Sequence, residues 1–182
     1  MRELSLHILD IVENGVDAGA GFMRISILEE KAKNWLTITI EDDGAGIDDA
    51  LLEKVMDPFY TTRRTRRVGL GLPLFRETSR RCDGTFAITS RRGKGTRVEA
   101  GFRLDHIDLP PLGNIAGCIS ALIAGHPEVD LLYIHRVDGR EFRFDTREIK
   151  SELEQVPINE PKVLKYLDGV IRESEAQIKT RE

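Results

Sequence analysis

Four short motifs stand in one order along this chain, and its fold has to bring the ends of four different elements together to use them. They are Asp10-Ile-Val-Glu-Asn14, Asp42-Asp-Gly-Ala-Gly-Ile47, Gly69-Leu-Gly-Leu72 and Gly93-Lys-Gly-Thr96. The first lies in a stretch of helical period. From Glu3 to about Asp17, Leu4, Ile8, Ile11, Val12 and Val16 share one side of the wheel, and His7, Asp10, Asn14 and Asp17 form a narrow stripe on the other. Glycines at Ala18-Gly-Ala-Gly21 stop the helix. Two strands follow, Phe22 to Glu29 and Trp35 to Glu41, with a polar turn between them, and the second runs directly into the Asp42 motif.

Asp48 to Val55 reads as a short helix, Asp57 to Val68 as a basic loop, and Leu72 to Arg81 as helix again. Gly84 to Ser90 and Thr96 to Leu104 read as a hairpin closed by Arg91-Arg-Gly-Lys-Gly95. Pro110-Pro111 marks a boundary. Beyond it the pattern predicts a helix over Leu112 to Ala124, strands over Val129 to Val137 and Arg140 to Phe144 joined at Asp138-Gly139, and two closing helices. The first of these opens at the capping box Asp145 to Glu148; the second opens at Pro161 and ends near Ile178.

The size of the chain, 182 residues, admits one domain with a small appendage, or two small domains. A charged content of 32% and a hydrophobic content of 40% suit a soluble globular protein. A net charge of -4 argues against a general nucleic-acid binder. No stretch has the roughly 18 apolar residues of a membrane span. The N-terminus carries Glu3, Asp10 and Glu13 where a signal peptide needs an apolar run. Cys82 and Cys118 have no metal-type spacing. The expectation is a cytoplasmic protein off the membrane.

Each motif has a plain reading and a chemical one. The polar stripe suits an ordinary solvated helix face. Yet asparagine is a poor helix former, and Asp10 and Asn14 project side by side at i and i+4. A carboxylate there can take a proton from water or a hydroxyl, and an amide oxygen can bind Mg²⁺. The Asp42 motif suits any strand-to-loop turn, but its carboxylate can also accept from the exocyclic amine of adenine. Gly44 and Gly46 let a base approach the backbone, and Ile47 can pack on the ring. Gly69, Leu70 and Gly71 precede a helix, where backbone amides face phosphate oxygens, with Arg63, Arg64, Arg66 and Arg67 just upstream. Taken alone, Gly93 to Thr96 is a hairpin turn; its place in the series gives Thr96 a hydroxyl within reach of a nucleotide.

These residues resemble the N, G1, F, G2 and G3 boxes of the GHKL ATPases, the group of gyrase, the ninety-kilodalton heat-shock chaperones, histidine kinases and MutL. Val12 to Ala20 is similar to the MutL helix. Asp57-Pro-Phe-Tyr-Thr-Thr62 with Gly69 to Leu72 looks more like the histidine kinases. The resemblance covers about Met1 to Leu104.

It implies an α+β Bergerat fold, helices layered on a mixed sheet, for a first domain over 1–104, with a small α/β appendage of unknown role over 105–182. It further implies ATP and Mg²⁺ as cofactors. Asn14 matches the magnesium residue and Asp42 the adenine residue, with Gly44 and Gly46 beside it. Gly69 and Gly71 match the lid glycines, Thr96 matches the last box, and Asp10 falls where the group's ATPases carry a general-base glutamate.

The departures are that Asp10 is one methylene shorter than glutamate, that Arg67 stands where a further lid glycine is common, and that little chain precedes the first box to hold a phospho-acceptor hairpin. His7 shares the stripe with Asp10; the plainer reading is a surface histidine, the alternative a group that orients Asp10. The expected function is an ATP-binding protein kinase or slow ATPase acting on a protein substrate or partner. The alternative is a nucleotide-gated regulatory module without turnover.

Overall fold

The helix that carries Asp10 and Asn14 forms where its period places it. In the computed structural model, which describes residues 3–52, 54–56 and 71–180, α1 spans Leu4–Asp17 and buries Leu4, Ile8, Ile11 and Val12. No side chain caps its start. Instead the N–H groups of Leu4 and Ser5 each donate, at 2.9 Å, to the carbonyls of Pro111 and Leu112, so a distant part of the chain satisfies the exposed helix donors. Past the helix, Gly19 takes a positive φ of 78° in the turn that leads into the first strand.

Strands β1 (Phe22–Glu30) and β2 (Trp35–Asp42) pair antiparallel. After the short α2 (Asp49–Leu52) and a single 3-10 turn (Lys54–Met56), the described chain resumes at α3 (Gly71–Arg81) and the hairpin β3 (Thr85–Arg91) and β4 (Gly95–Arg103). Then come α4 (Ile115–Gly125), β5 (Asp130–Val137), β6 (Arg140–Asp145), α5 (Thr146–Leu153) and α6 (Pro161–Lys179). The strands make one sheet in the order β3-β4-β2-β1-β5-β6. β5 runs parallel to β1, while the other pairs are antiparallel. The sheet therefore continues through both sides of the Pro110-Pro111 boundary.

Alternation along each strand sends one set of side chains toward the helices. One such row across the sheet reads Ile88, Val98, Ile40, Ile25, Tyr133 and Phe144. With Phe75 of α3, Ile119 of α4 and Ile171 of α6, these rows build a single core. The row facing the other way is largely polar, with Thr89, Arg97, Glu41 and Arg24 in register. This is the mixed sheet with layered helices that an α+β arrangement requires.

Two helix boundaries differ from the sequence pattern for local reasons. α4 starts at Ile115 rather than Leu112, because Gly113 holds a φ of 83° and the Asn114 side chain caps the helix by accepting from the Gly117 N–H at 3.0 Å. The Asp48–Val55 helix reduces to the four residues of α2 before the chain tightens into the 3-10 turn. Asp145 does cap α5, accepting from the Arg147 N–H at 3.1 Å. Glu148 turns instead to Arg143, 2.6 Å away, and does not complete the box.

A buried charge network fastens α6 to the sheet. His135 Nδ1 lies 2.7 Å from Glu175, its Nε2 lies 3.0 Å from Glu29, and the Tyr133 hydroxyl donates to Glu175 at 2.6 Å. Lys179 sits 2.9 Å from the second Glu175 oxygen. Burial alone would discharge His135, but its hydrogen bonds to Glu175 and Glu29 outweigh that and raise its pKa. Burial likewise opposes ionised Glu175, yet His135, Tyr133 and Lys179 lower it to about 2.

The Glu175 contribution is present above its ordinary pKa of 4.5 and is lost as pH falls toward 2. The His135 contribution is complete below the ordinary 6.5 and is lost as pH rises through its raised value. Glu175→Gln is expected to cost about 3 kcal/mol. In urea titrations at several pH values, the gap from wild type should be widest between the two ordinary pKa values and shrink at alkaline pH; a gap independent of pH would contradict the network.

Candidate nucleotide site

Asp10 and Asn14 come within reach of β2 because of Gly15. A Cβ at Gly15 would lie 2.9 Å from Met23 Cε and 3.0 Å from Asp42 Cβ, so a larger residue there would have to displace the Met23 side chain and crowd Asp42. The first residue of α3 closes the other side: a Cβ at Gly71 would sit 3.4 Å from Asp10 Cβ and 3.5 Å from Asn14 Nδ2. The first turn of α3 therefore lies beside the Asp10 carboxyl and the Asn14 amide. Among the described residues the Asn14 amide makes no hydrogen bond, which leaves it available to a ligand.

Asp42 ends β2 and accepts from the Gly44 N–H at 2.9 Å. Burial raises its pKa; the Gly44 and Thr96 N–H groups pull it down, and neighbouring Asp43 pushes it up. Asp43 has a structural task. Its Oδ1 accepts from the N–H groups of Gly21 and Phe22 at 2.8 and 2.9 Å, pinning the turn to the start of β1. Ala45 donates to Ala18 O at 2.9 Å, and Gly93 donates to Ala45 O at 2.7 Å. The turn after β2 is thus clamped between the end of α1 and the β3–β4 hairpin.

Glycine is required twice here. Gly46 has a φ of 67° and its Cβ would lie 2.1 Å from Arg91 O; Gly95 has a φ of 86° and its Cβ would lie 1.8 Å from Asp42 O. Thr96 is the register partner of Asp42, and its hydroxyl lies 2.8 Å from Ser90 Oγ. Ile47 is half-buried and donates its N–H to the same Ser90 oxygen at 2.7 Å.

Asp10, Asn14 and Gly71 therefore lie together on one side, and Asp42, Gly44, Gly46, Ile47 and Thr96 on the other, joined through Gly15. Gly69, Leu70, the Arg63 to Arg67 run and the Asp57 to Thr62 motif lie outside the described residues. His7 is not a surface group. It is fully buried, stacks on Phe75 at 5.2 Å and lies 3.2 Å from the Thr78 hydroxyl. Burial lowers its pKa to about 4. Thr78 donates to Leu74 O, so His7 Nε2 carries the proton that Thr78 accepts. The stripe misplaced His7 because α3 covers that turn of α1, and the sequence carries no sign of it. Nothing in the sequence marks Ser90, Asp43 or Gly15: Asp43 and Gly15 act on backbone placement, and Ser90 bonds the Ile47 N–H and the Thr96 hydroxyl.

Residues 2–106 match the family described as histidine kinase-, DNA gyrase B-, and HSP90-like ATPase. The chain is 30% identical over 109 residues to a putative sensor protein of Shewanella frigidimarina, covering 59% of this chain and 17% of that protein. It is 30% identical over 95 residues to sporulation kinase C of Bacillus subtilis, covering 52% of this chain and 22% of that one. It therefore spans less than a quarter of the length of either relative.

Among solved structures, the Aquifex aeolicus MutL ATPase domain complexed with ADP superposes with a TM-score of 0.52 at 18% identity, covering 85% of this chain and 68% of that one. That likeness shows the fold. With more than half its length matched and the fold shared, the chain belongs to the histidine kinase-, DNA gyrase B- and HSP90-like ATPase family.

Proposed function

We propose that this chain binds ATP with Mg²⁺ between α1, the end of β2 and the start of α3, and acts as a protein kinase or slow ATPase. The observation that carries the proposal is the Asp10 and Asn14 pair held against the first residue of α3, with Asp42 reached through Gly15. In this reading the Asp42 carboxylate accepts from the adenine amine, and Gly44, Gly46 and Ile47 shape the wall beside it. Gly69, Leu70 and Gly71 give backbone donors to phosphate.

Asn14 offers an amide oxygen, a hard donor that suits Mg²⁺. Among the described residues no three acidic, histidine or cysteine groups converge as a metal cage, so the cation would rest on Asn14 and the phosphates. Bound there, Mg²⁺ supplies charge neutralisation at the phosphates. Asp10, one helical turn away, takes the proton of the attacking water or hydroxyl. Among the described residues no helix is long and apolar enough to cross a membrane. Both cysteines are free thiols, in keeping with a reducing cytoplasm.

A second reading, a nucleotide-gated module without turnover, is favoured by how α1 is held. Pro111 and Leu112 cap it, and α4 runs parallel beside it, with Cys118 Sγ donating to Ser5 O and His126 lying 3.2 Å from Glu13. In this reading 105–182 is a separate functional unit that senses nucleotide through α1 and presents the result to a protein partner.

Phosphate release separates the two. Asp10→Asn is expected to lower turnover at least tenfold while leaving ATP affinity within about threefold. Equal rates in the two proteins would remove Asp10 from the chemistry and leave the gating reading.

A further inference from the structure

The wall next to Asp42 contains a hydroxyl with no part in the proposed chemistry. Ser90 lies on β3 opposite Thr96. Its Oγ accepts the Ile47 N–H at 2.7 Å, lies 2.9 Å from Gly95 O, and lies 2.8 Å from Thr96 Oγ1. A serine hydroxyl has one proton and two lone pairs. Gly95 O can only accept, and two oxygens 2.9 Å apart with no proton between them repel, so the Ser90 proton points at Gly95. The lone pairs of Ser90 then take the Ile47 N–H and the Thr96 O–H. The proton of Thr96 is thereby committed inside the wall, and the Thr96 oxygen can offer other groups only lone pairs. Its register partner Asp42, when ionised, is likewise an acceptor without a proton.

We propose that Ser90 is a positioning residue for base specificity: by holding the Thr96 proton it makes the base-facing wall acceptor-only, which selects a purine bearing an amine at C6 over one bearing a carbonyl at C6. The inference rests on the reading of Asp42 as the base contact and extends it to Thr96, its register partner. An amine meets two acceptors and is satisfied. A carbonyl oxygen in the same place meets two acceptors and no donor, and sites that leave polar groups unpaired discriminate strongly. Without Ser90 the Thr96 hydroxyl rotates freely, and its proton becomes available to such a carbonyl.

The test is calorimetric titration of ATP–Mg²⁺ and GTP–Mg²⁺ into wild type, Ser90→Ala, Ser90→Thr, Thr96→Val and the Ser90→Ala/Thr96→Val double variant, with thermal unfolding of each as a check on folding. Ser90→Ala is expected to narrow the ATP-over-GTP preference at least tenfold, chiefly by strengthening GTP. Ser90→Thr keeps a hydroxyl and should restore the preference. In the Thr96→Val background Ser90→Ala should narrow it no further, because the proton at issue is gone.

Equal loss of both nucleotides in Ser90→Ala, or narrowing that persists in the Thr96→Val background, would show that Ser90 only holds the hairpin in place and would overturn the proposal. Failure of wild type to bind ATP at all would instead overturn the proposed function, and this inference with it. Wild-type binding with an unchanged preference in Ser90→Ala would overturn the specificity role alone.

Discussion

Gly95→Ala is expected to cost about 3 kcal/mol or more and to abolish nucleotide binding in whatever fraction stays folded. Two penalties add. The residue sits at a φ of 86°, where an L side chain is strained by roughly 1–2 kcal/mol. The new Cβ would also lie 1.8 Å from the Asp42 carbonyl oxygen and 2.9 Å from Asp43 Cα, and neither is a side chain that can swing away. β4 must therefore move off the end of β2, at a cost of roughly 1–3 kcal/mol for an overpacked contact. That movement separates Asp42 from Thr96 and pulls on the Ser90 bonds, so the site loses its geometry along with its stability. Urea unfolding measures the first effect and ATP titration the second. A variant as stable as wild type would contradict the strand placement. Gly93→Ala is a poorer probe: its φ is 71°, but nothing lies within 4 Å of its Cβ, so strain alone acts there.

Asp42→Asn is expected to leave stability nearly unchanged and to weaken ATP binding by about 2 kcal/mol, roughly 30-fold. The amide oxygen of asparagine can keep the Gly44 N–H bond of 2.9 Å, so the turn retains its shape. Two things are lost: the charge on the acceptor, and one acceptor oxygen, replaced by an amino group that repels the adenine amine. Because burial raises the Asp42 pKa, wild-type affinity should fall on acidification while the variant's does not. The group's charged form is the one that binds, so protonation works in the same direction as the substitution. ATP titration of both proteins across the acidic range checks this; parallel pH profiles would contradict it.

The parts of the fold and site that were legible in sequence are those carried by local pattern. Leu4, Ile8, Ile11 and Val12 place α1 by their period, and the i, i+4 spacing of its polar stripe sets Asp10 and Asn14 side by side. Leu36, Ile38 and Ile40 place β2 by alternation, and β2 delivers Asp42 to its end. The illegible parts depend on residues far apart in the chain. α1 lacks a side-chain cap because its cap is the backbone at Pro111 and Leu112. The burial of His7 depends on Phe75 and Thr78 of α3.

The joining of the last segment to the sheet depends on a parallel pairing of β5 with β1, which no turn signal announces. In hindsight the run Leu131 to Val137 carries a trace of it, since β5 is buried on both sides as an interior strand tends to be. Ser90 was hidden for a different reason. A serine in a strand is unremarkable until register sets it against Thr96 and the turn after β2 folds back onto it.

Titrating ATP–Mg²⁺ into the isotopically labelled protein and following backbone amide resonances tests the central claim most directly. The account predicts saturable shifts concentrated at Asn14 and Gly15, at Asp42 to Ile47, and at Thr96, with much smaller changes along β6 and α6. Shifts centred on β6 and α6, or none at saturating nucleotide, would contradict it.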